Sequence, residues 1–382
     1  MTKTHTLLAL LLLCTVGLTK ANWVTLDFPD ASDTYVNGID GDKIVGYYED
    51  ISGTQHGFLY NGVTWATLDF PGASSTRAYG IDGDKIVGCY EYGVHRPHGF
   101  LYNGITWDTL DALGATWTAA HGIYGDKIVG CYDGRGFLYD GSTWTTLEFV
   151  SPGLGGTCIS DIDGNNMVGY YTTDLIPSGL LYDGMSWTPI YAFGTMPWTL
   201  LTGIDGNKIV GYYGPIPYAR GFLYDGTSWT ALDFPGATCT EAQGIDDDKI
   251  VGYYRDANGL HGFIYTIPAP PIEADVDIDP DTLNLNSKGK WITCYIWLPE
   301  EYDVADVNSQ SVFLKDVIGA AWIWADEQAQ ILMAKFKRSD IQEMLAQSGE
   351  IGEVEMTVTG KLIDGTLFGG MDTIRVIDKG KR

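Results

Sequence analysis

A cassette of about 42 residues recurs six times along this 382-residue chain and stops one strand short. Six copies of a GID-GDKIVGYY segment alternate with six copies of HGFLY-NG. Both are joined by six tryptophans, Trp23, Trp65, Trp107, Trp144, Trp187 and Trp229, at intervals of 42, 42, 37, 43 and 42 residues. A period of this length built from short strands predicts a β-propeller with one repeat per blade. Trp23 precedes the first GID, and no tryptophan strand follows the last GFIY at residues 262–265. The N-terminal strand is therefore expected to complete the sixth blade and close the ring, since an unfilled position would leave a long exposed sheet edge.

Each cassette divides into four strands, called a to d outward from the axis. In the second copy they fall at residues 77–82, 85–90, 98–102 and 106–111. Asp-Gly-Asp joins a to b and Asn-Gly or Asp-Gly joins c to d, both compact hairpin turns whose positive φ angles glycine and asparagine tolerate. In a four-stranded meander these turns emerge on one face of the disc. The b–c and d–a connections emerge on the other, where residues 49–55, 91–97, 174–177 and 214–219 vary freely. Variable loops on a rigid scaffold are the usual place for a binding site.

After Tyr265 a proline-rich stretch, residues 268–274, reads as a stiff linker. Residues 275–382 then alternate apolar and polar positions in five segments, the pattern of strands. One helix interrupts them, with Ser339 and Gln342 forming an expected capping box and Gly349 ending it. The fold expected overall is all-β: a six-bladed β-propeller over residues 22–267, followed by a β-sandwich-like module with one short helix.

Residues 1–21 carry Lys3, an apolar run over residues 7–18 and a Thr19-Lys20-Ala21 ending, the pattern of a secretory signal. Leu13 is too large for the position before a lipidated Cys14. Removing the segment takes two lysines and no acids, so the net charge goes from −26 to −28. That field disfavours nucleic acid and anionic membranes, and no later apolar stretch approaches the roughly 18 residues of a bilayer span. Export permits disulfides, yet Cys89, Cys131, Cys158, Cys239 and Cys294 are odd in number and match neither a disulfide framework nor a metal motif. They read as small buried hydrophobes.

The cations segregate within the propeller. Lys43, Lys85, Lys127, Lys208 and Lys249 follow the a–b turns, whereas Arg77, Arg96, Arg135, Arg220 and Arg255 fall on the variable face. Strand c opens with His56, His98, Arg135, Ser178, Arg220 and His261, a ring of hydrogen-bond donors. Arginine's planar fork suits carboxylates and sulfates, so one reading is a site for a sugar or an anion. On the other reading these side chains pair with loop acids such as Glu49, Glu91, Asp133, Asp174 and Asp256, as surface ions commonly do. Trp117, Tyr191, Trp198 and Tyr218 lie in variable segments and suit sugar stacking better than the repeated aromatics, which belong to the core.

No cofactor is called for. The Asp-Gly-Asp turns lack the twelve-residue ligand spacing of an EF-type loop, whereas Asp275, Asp277, Asp279 and Asp281 share one face of an extended strand, where either Ca²⁺ relieves their repulsion or they form a solvated acidic edge. The c–d turn Tyr139-Asp140-Gly141-Ser142-Thr143-Trp144 is out of register with a sialidase Asp-box, and HExxH, GxSxG and Walker motifs are absent.

The segments LDFPGA (residues 68–73 and 232–237), GID-GDKIVGYY and HGFLY-NG together resemble the extracellular HAF repeat of secreted microbial proteins, over residues 22–266. The resemblance implies an extracellular repeat protein without assigned catalytic or binding residues. The fourth copy departs most, with Asp161 in place of glycine and Leu180 in place of phenylalanine. The C-terminal segment resembles an accessory module at the ends of other secreted proteins. The chain thus reads as a secreted, non-enzymatic binding or scaffold protein whose partner is an extracellular glycan or protein. The alternative is a propeller glycosidase.

Overall fold

In a computed structural model of the chain, the described residues are 22–93, 96–149, 154–173, 176–194, 196 and 198–379, so the expected signal segment lies outside them. The chain divides into two compact units at Ile267/Pro268.

Unit one is the six-bladed propeller. Its blades are four-stranded antiparallel sheets whose inner strands a are Asp33–Asp40, Ser75–Asp82, Thr118–Tyr124, Leu154–Asp163, Thr199–Asp205 and Cys239–Asp246. Strands b are Lys43–Glu49, Lys85–Glu91, Lys127–Tyr132, Asn166–Thr173, Lys208–Tyr213 and Lys249–Arg255. Blade six takes its outer strand from the N-terminus: Trp23–Thr25 pairs with Leu260–Thr266, with Trp23 opposite Tyr265 and Thr25 opposite Phe263. The expected ring closure is present.

The repeated residues make the blades and join them. Phe58, Phe100, Phe137, Phe222 and Phe263 from strand c are fully buried, as is Leu180 in blade four; each such side chain stabilises the fold by about 1.5–3 kcal/mol. The LDFPGA phenylalanines stack on strand b tyrosines, Phe28 on Tyr48, Phe70 on Tyr90 and Phe234 on Tyr254, at 3.6–3.8 Å. One threonine per inner strand accepts the backbone N–H that ends the preceding strand d connection: Thr34 from Phe28, Thr76 from Phe70, Thr118 from Ala112, Thr157 from Phe149, Thr199 from Ala192 and Thr240 from Phe234.

The short-turn face is laced from blade to blade. Lys43 donates to Asp84 at 2.7 Å, Lys85 to Asp126 at 2.7 Å and Lys249 to Asp42 at 2.8 Å, each in the next blade's a–b turn. The first aspartate of the turn accepts the next turn's backbone N–H, as from Gly83 to Asp40. These carboxylates are taken up by the ring itself, which accounts for the lysine segregation.

Unit two contains a sheet ordered Asp275–Asp279, Trp291–Trp297, Ile331–Lys337 and Trp322–Asp326, and a second sheet centred on the long pair Gly352–Lys361 and Leu367–Ile377. Their shared core includes Phe336, Phe368, Met356, Ile341 and Leu345. Asp275, Asp277 and Asp279 are exposed on an edge strand, where repulsion deters edge-to-edge pairing. Two expectations need correction. The helix Arg338–Ser348 has no capping box: Ser339 bonds to Asp340, and Gln342 reaches away to the carbonyls of Asn284 and Ser287. Gly349 does end it, in the left-handed conformation. The linker is shorter than expected, because Ile272–Glu273 pairs with the strand Leu367–Ile377 and Ala274 donates to the Gly369 carbonyl.

Candidate functional site

The residues that open strand c are locked within their own blades. His56 bonds to Asp69 at 2.9 Å, His98 to Asp111 at 2.7 Å, Arg135 to Glu148 at 2.9 Å, Arg220 to Asp233 at 2.6 Å and His261 to Asp27 at 2.8 Å. The partner is always the acid after strand d, thirteen residues on, and the N-terminal segment supplies it for blade six. Blade four has Ser178 and Tyr191 at these positions, and there Tyr191 meets Tyr171 at 3.1 Å. One pair per blade is a rim, not a convergent site.

The loop acids named from sequence act variously. Glu91 pairs with Arg77 at 3.2 Å and Asp256 with His261 at 3.4 Å, while Asp133 caps the Thr116 N–H. Asp174 lies outside the described residues. Arg96 is exposed in the b–c connection of blade two, and Arg255 is exposed at the end of strand b in blade six. Tyr191 and Tyr218 are exposed on the variable side.

Trp117 and Trp198 each stand just before an inner strand, at its variable-face end. Trp198 has φ +63°, a left-handed conformation that costs an aromatic residue about 1–3 kcal/mol, and the Gly214 N–H bonds its carbonyl at 2.9 Å. Strain of this kind collects at functional sites.

Inner strands behave unlike the rest of the repeat. Beside the repeated threonine, the next position inward is Tyr35, Arg77, Ala119, Cys158, Leu200 or Glu241, a different residue in every blade. Two positions further is Asn37, Tyr79, His121, Ser160, Thr202 or Gln243, again six different residues. At this second level every blade has a β-bulge. The bulged residue has no partner on strand b, which turns its side chain out of the ladder. All six bulge residues line one axial cavity of about 50 Å³.

The glycine that follows is dictated by the crowding: a Cβ at Gly38 would lie 2.6 Å from the Tyr79 carbonyl oxygen, and one at Gly80 2.5 Å from that of His121. Asp161 is the exception, and its Oδ2 accepts the Ile204 N–H of blade five at 3.0 Å. Burial pushes its carboxyl up to about 7. Asn37, His121 and Thr202 hydrogen-bond to carbonyls of the next blade, at Ala78, Ile159 and Ala242, so the cavity wall also ties blades together.

One level nearer the mouth, first-level residues pack along the seams between blades or against strand b of their own blade. Tyr35 packs edge-on against Tyr253 at 5.3 Å and stacks on Tyr47 at 4.4 Å. Arg77 pairs with Gln55 and Glu91. Glu241, only 5% exposed, accepts from Tyr253 Oη at 2.8 Å; burial raises its carboxyl and holds the Tyr253 hydroxyl well above its usual range. Burial lowers His121, which is therefore neutral at pH 7.

The seams also correct the reading of the cysteines. Cys131 ends strand b of blade three, Cys158 faces it from blade four with their Cα atoms 5.0 Å apart, and the two form a disulfide. Equivalent positions of adjacent blades are indeed not joined: Cys89 is free and buried, like Cys239 and Cys294. The bridge joins an offset pair, b to the next a, which the spacing along the chain does not show.

No protein-family description and no curated protein matches the chain. Solved structures match the chain at low identity and with TM-scores below 0.5. The fungal lectin from Aleuria aurantia, described as a six-bladed β-propeller with a novel fucose recognition mode, is 14% identical with a TM-score of 0.39, over 63% of this chain and 93% of that one. YCF48 bound to a D1 peptide is 11% identical, TM-score 0.37, over 64% and 97%. A mutant of Trypanosoma rangeli sialidase with trans-sialidase activity is 11% identical, TM-score 0.40, over 65% and 57%.

Proposed function

We propose that the propeller is a non-catalytic binding module that seats a neutral carbohydrate at the variable-face mouth of its axis. The observation that carries this reading is that the inner-strand columns differ in all six blades while the surrounding cassette repeats. Packing alone is satisfied by a repeat, as the outer strands demonstrate. A column that does not repeat gives a single asymmetric ligand six distinct contacts. Tyrosine hydroxyls, the Arg77 fork and the Glu241 carboxyl supply directional hydrogen bonds, and Trp117 and Trp198 border them with rings suited to sugar faces. The net charge of −26 favours a neutral glycan over an acidic one.

A glycan array with the full chain tests this. Glu241→Gln and Trp198→Ala should each lose binding while keeping a cooperative melting transition. Loss through Arg135→Ala with Arg220→Ala would move the site to the rim and overturn the reading. Release of reducing ends from a bound glycan, abolished by Glu241→Gln, would instead establish the glycosidase alternative. Membership of the HAF-repeat family and export belong to the same proposal. Fusing residues 1–21 to a reporter and assaying the medium tests export.

A further inference from the structure

The wall of the axial cavity holds a second chemistry. His121, Cys131 and Cys158 place their ligand atoms within 4.8 Å of one another, and His121 Nδ1 lies 3.4 Å from Cys158 Sγ. Cys131 and His121 come from blade three and Cys158 from blade four, so the packing of these two adjacent blades assembles the cluster. Both cysteines are buried, and the half-buried imidazole lines the cavity. One nitrogen and two sulfurs make a three-coordinate soft set, which suits Cu(I) better than hard cations with oxygen ligands or an ion that requires four protein donors.

We propose that the Cys131–Cys158 pair is a two-state element: a covalent staple between blades three and four when oxidised, and with His121 a Cu(I) site when reduced. A dithiol reductant opens it: the S–S bond takes up two electrons and two protons, giving two thiols, and the reductant leaves as its own disulfide. Binding of Cu⁺ then forms two Cu–S bonds and one Cu–N bond and releases the two thiol protons. His121 Nδ1 gives up its bond to the Ile159 carbonyl, which lies 3.2 Å away, and the ring carries its proton on Nε2.

The test is an anaerobic titration of the full chain with Cu(I) buffered by bicinchoninate, before and after reduction. The thiol count under denaturing conditions should rise by two on reduction. The reduced protein should bind one equivalent of Cu(I) and the oxidised protein none, with an X-ray absorption spectrum of one nitrogen and two sulfurs. Cys131→Ser, Cys158→Ser and His121→Asn should each weaken binding at least 100-fold, and Cys239→Ser should leave it unchanged. The absorption spectrum needs no variant, so a substitution that fails to fold does not shield the proposal. It is overturned if the reduced chain takes up no more copper than the oxidised one, if either seam cysteine is dispensable, if the spectrum shows no nitrogen, or if equimolar Zn(II) displaces the copper.

Discussion

The rim and the axis of the propeller are built from the same six cassettes and follow opposite rules. At the rim, a basic or imidazole side chain meets the acid that follows strand d in five of six blades, thirteen residues later in four and from the N-terminal segment in blade six. At the axis, no two blades present the same residue at either inward level. Strand b and strand c neighbours within a blade are fixed by the hairpin, so one solution serves every copy. An inner strand also meets a neighbour from another blade, and six such seams can be solved separately. The rim therefore reports on how the fold is held, and under the proposed function the axis reports on what it binds.

The most severe way to break this comparison is to open the ring. Deleting residues 22–30 removes Trp23 from the core of blade six, Leu26 and Phe28 from the core between blades six and one, and Asp27 from His261. Leu26 is buried and Trp23 and Phe28 are half-buried; with full burial of such a side chain stabilising by about 1.5–3 kcal/mol, losing all three together with the strand pairing takes a large share of a domain's stability. The cooperative melting transition should disappear; an unchanged melting curve would mean the strand is dispensable.

Asp161 gives the next effect, and it depends on pH. Its folded pKa, about 7, stands above the unfolded value of 3.8. Between those values the folded chain binds more protons than the unfolded one, so stability falls as pH rises from about 4 to 7 and stays low above. Asp161→Asn should raise the melting temperature at pH 8 and leave it nearly unchanged at pH 4. An equal shift at both would show that the carboxyl charge is not what costs stability.

Thr76→Val is smaller. It leaves the Phe70 N–H without its acceptor, a loss of about 1–3 kcal/mol, measurable by urea denaturation; glycan binding should persist because the threonine belongs to the repeated part.

The smallest effect belongs to the rim. Arg135→Ala with Arg220→Ala removes pairs whose arginines are about 60% exposed, and exposed pairs contribute about 0–1 kcal/mol each. Stability and glycan binding should both stay close to wild type. A tenfold loss of affinity would erase the distinction between rim and axis.

The blades, their turns and the closing strand were legible because each follows from short-range chemistry repeated six times: alternation, Asp-Gly turns and a missing tryptophan. The bulge ring was not, because a bulge breaks the period of two on which strand reading relies, and Asn37 or Gln243 reads as an ordinary strand polar residue. The Cys131–Cys158 bridge escaped for a related reason: strand b of one blade touches strand a of the next, a relation set by packing. A usable signal was nonetheless present. The residue before GID changes in every copy, and so does the residue two positions before it, while the position between them stays aliphatic and the one before them stays threonine. The capping box failed because Gln342 had acceptors in the loop around Asn284, which local pattern cannot reveal.

The way the ring closes also decides how it bears load. Trp23 lies opposite Tyr265 in an antiparallel pair, so the two ends of the propeller leave from the same end of one strand couple. A pull between them acts as on a zipper, parting residue pairs one after another where shear would require all to break together. The five other blades carry none of that tension until blade six has peeled open, which makes the three paired residues from Trp23 to Thr25 the mechanical fuse of the ring.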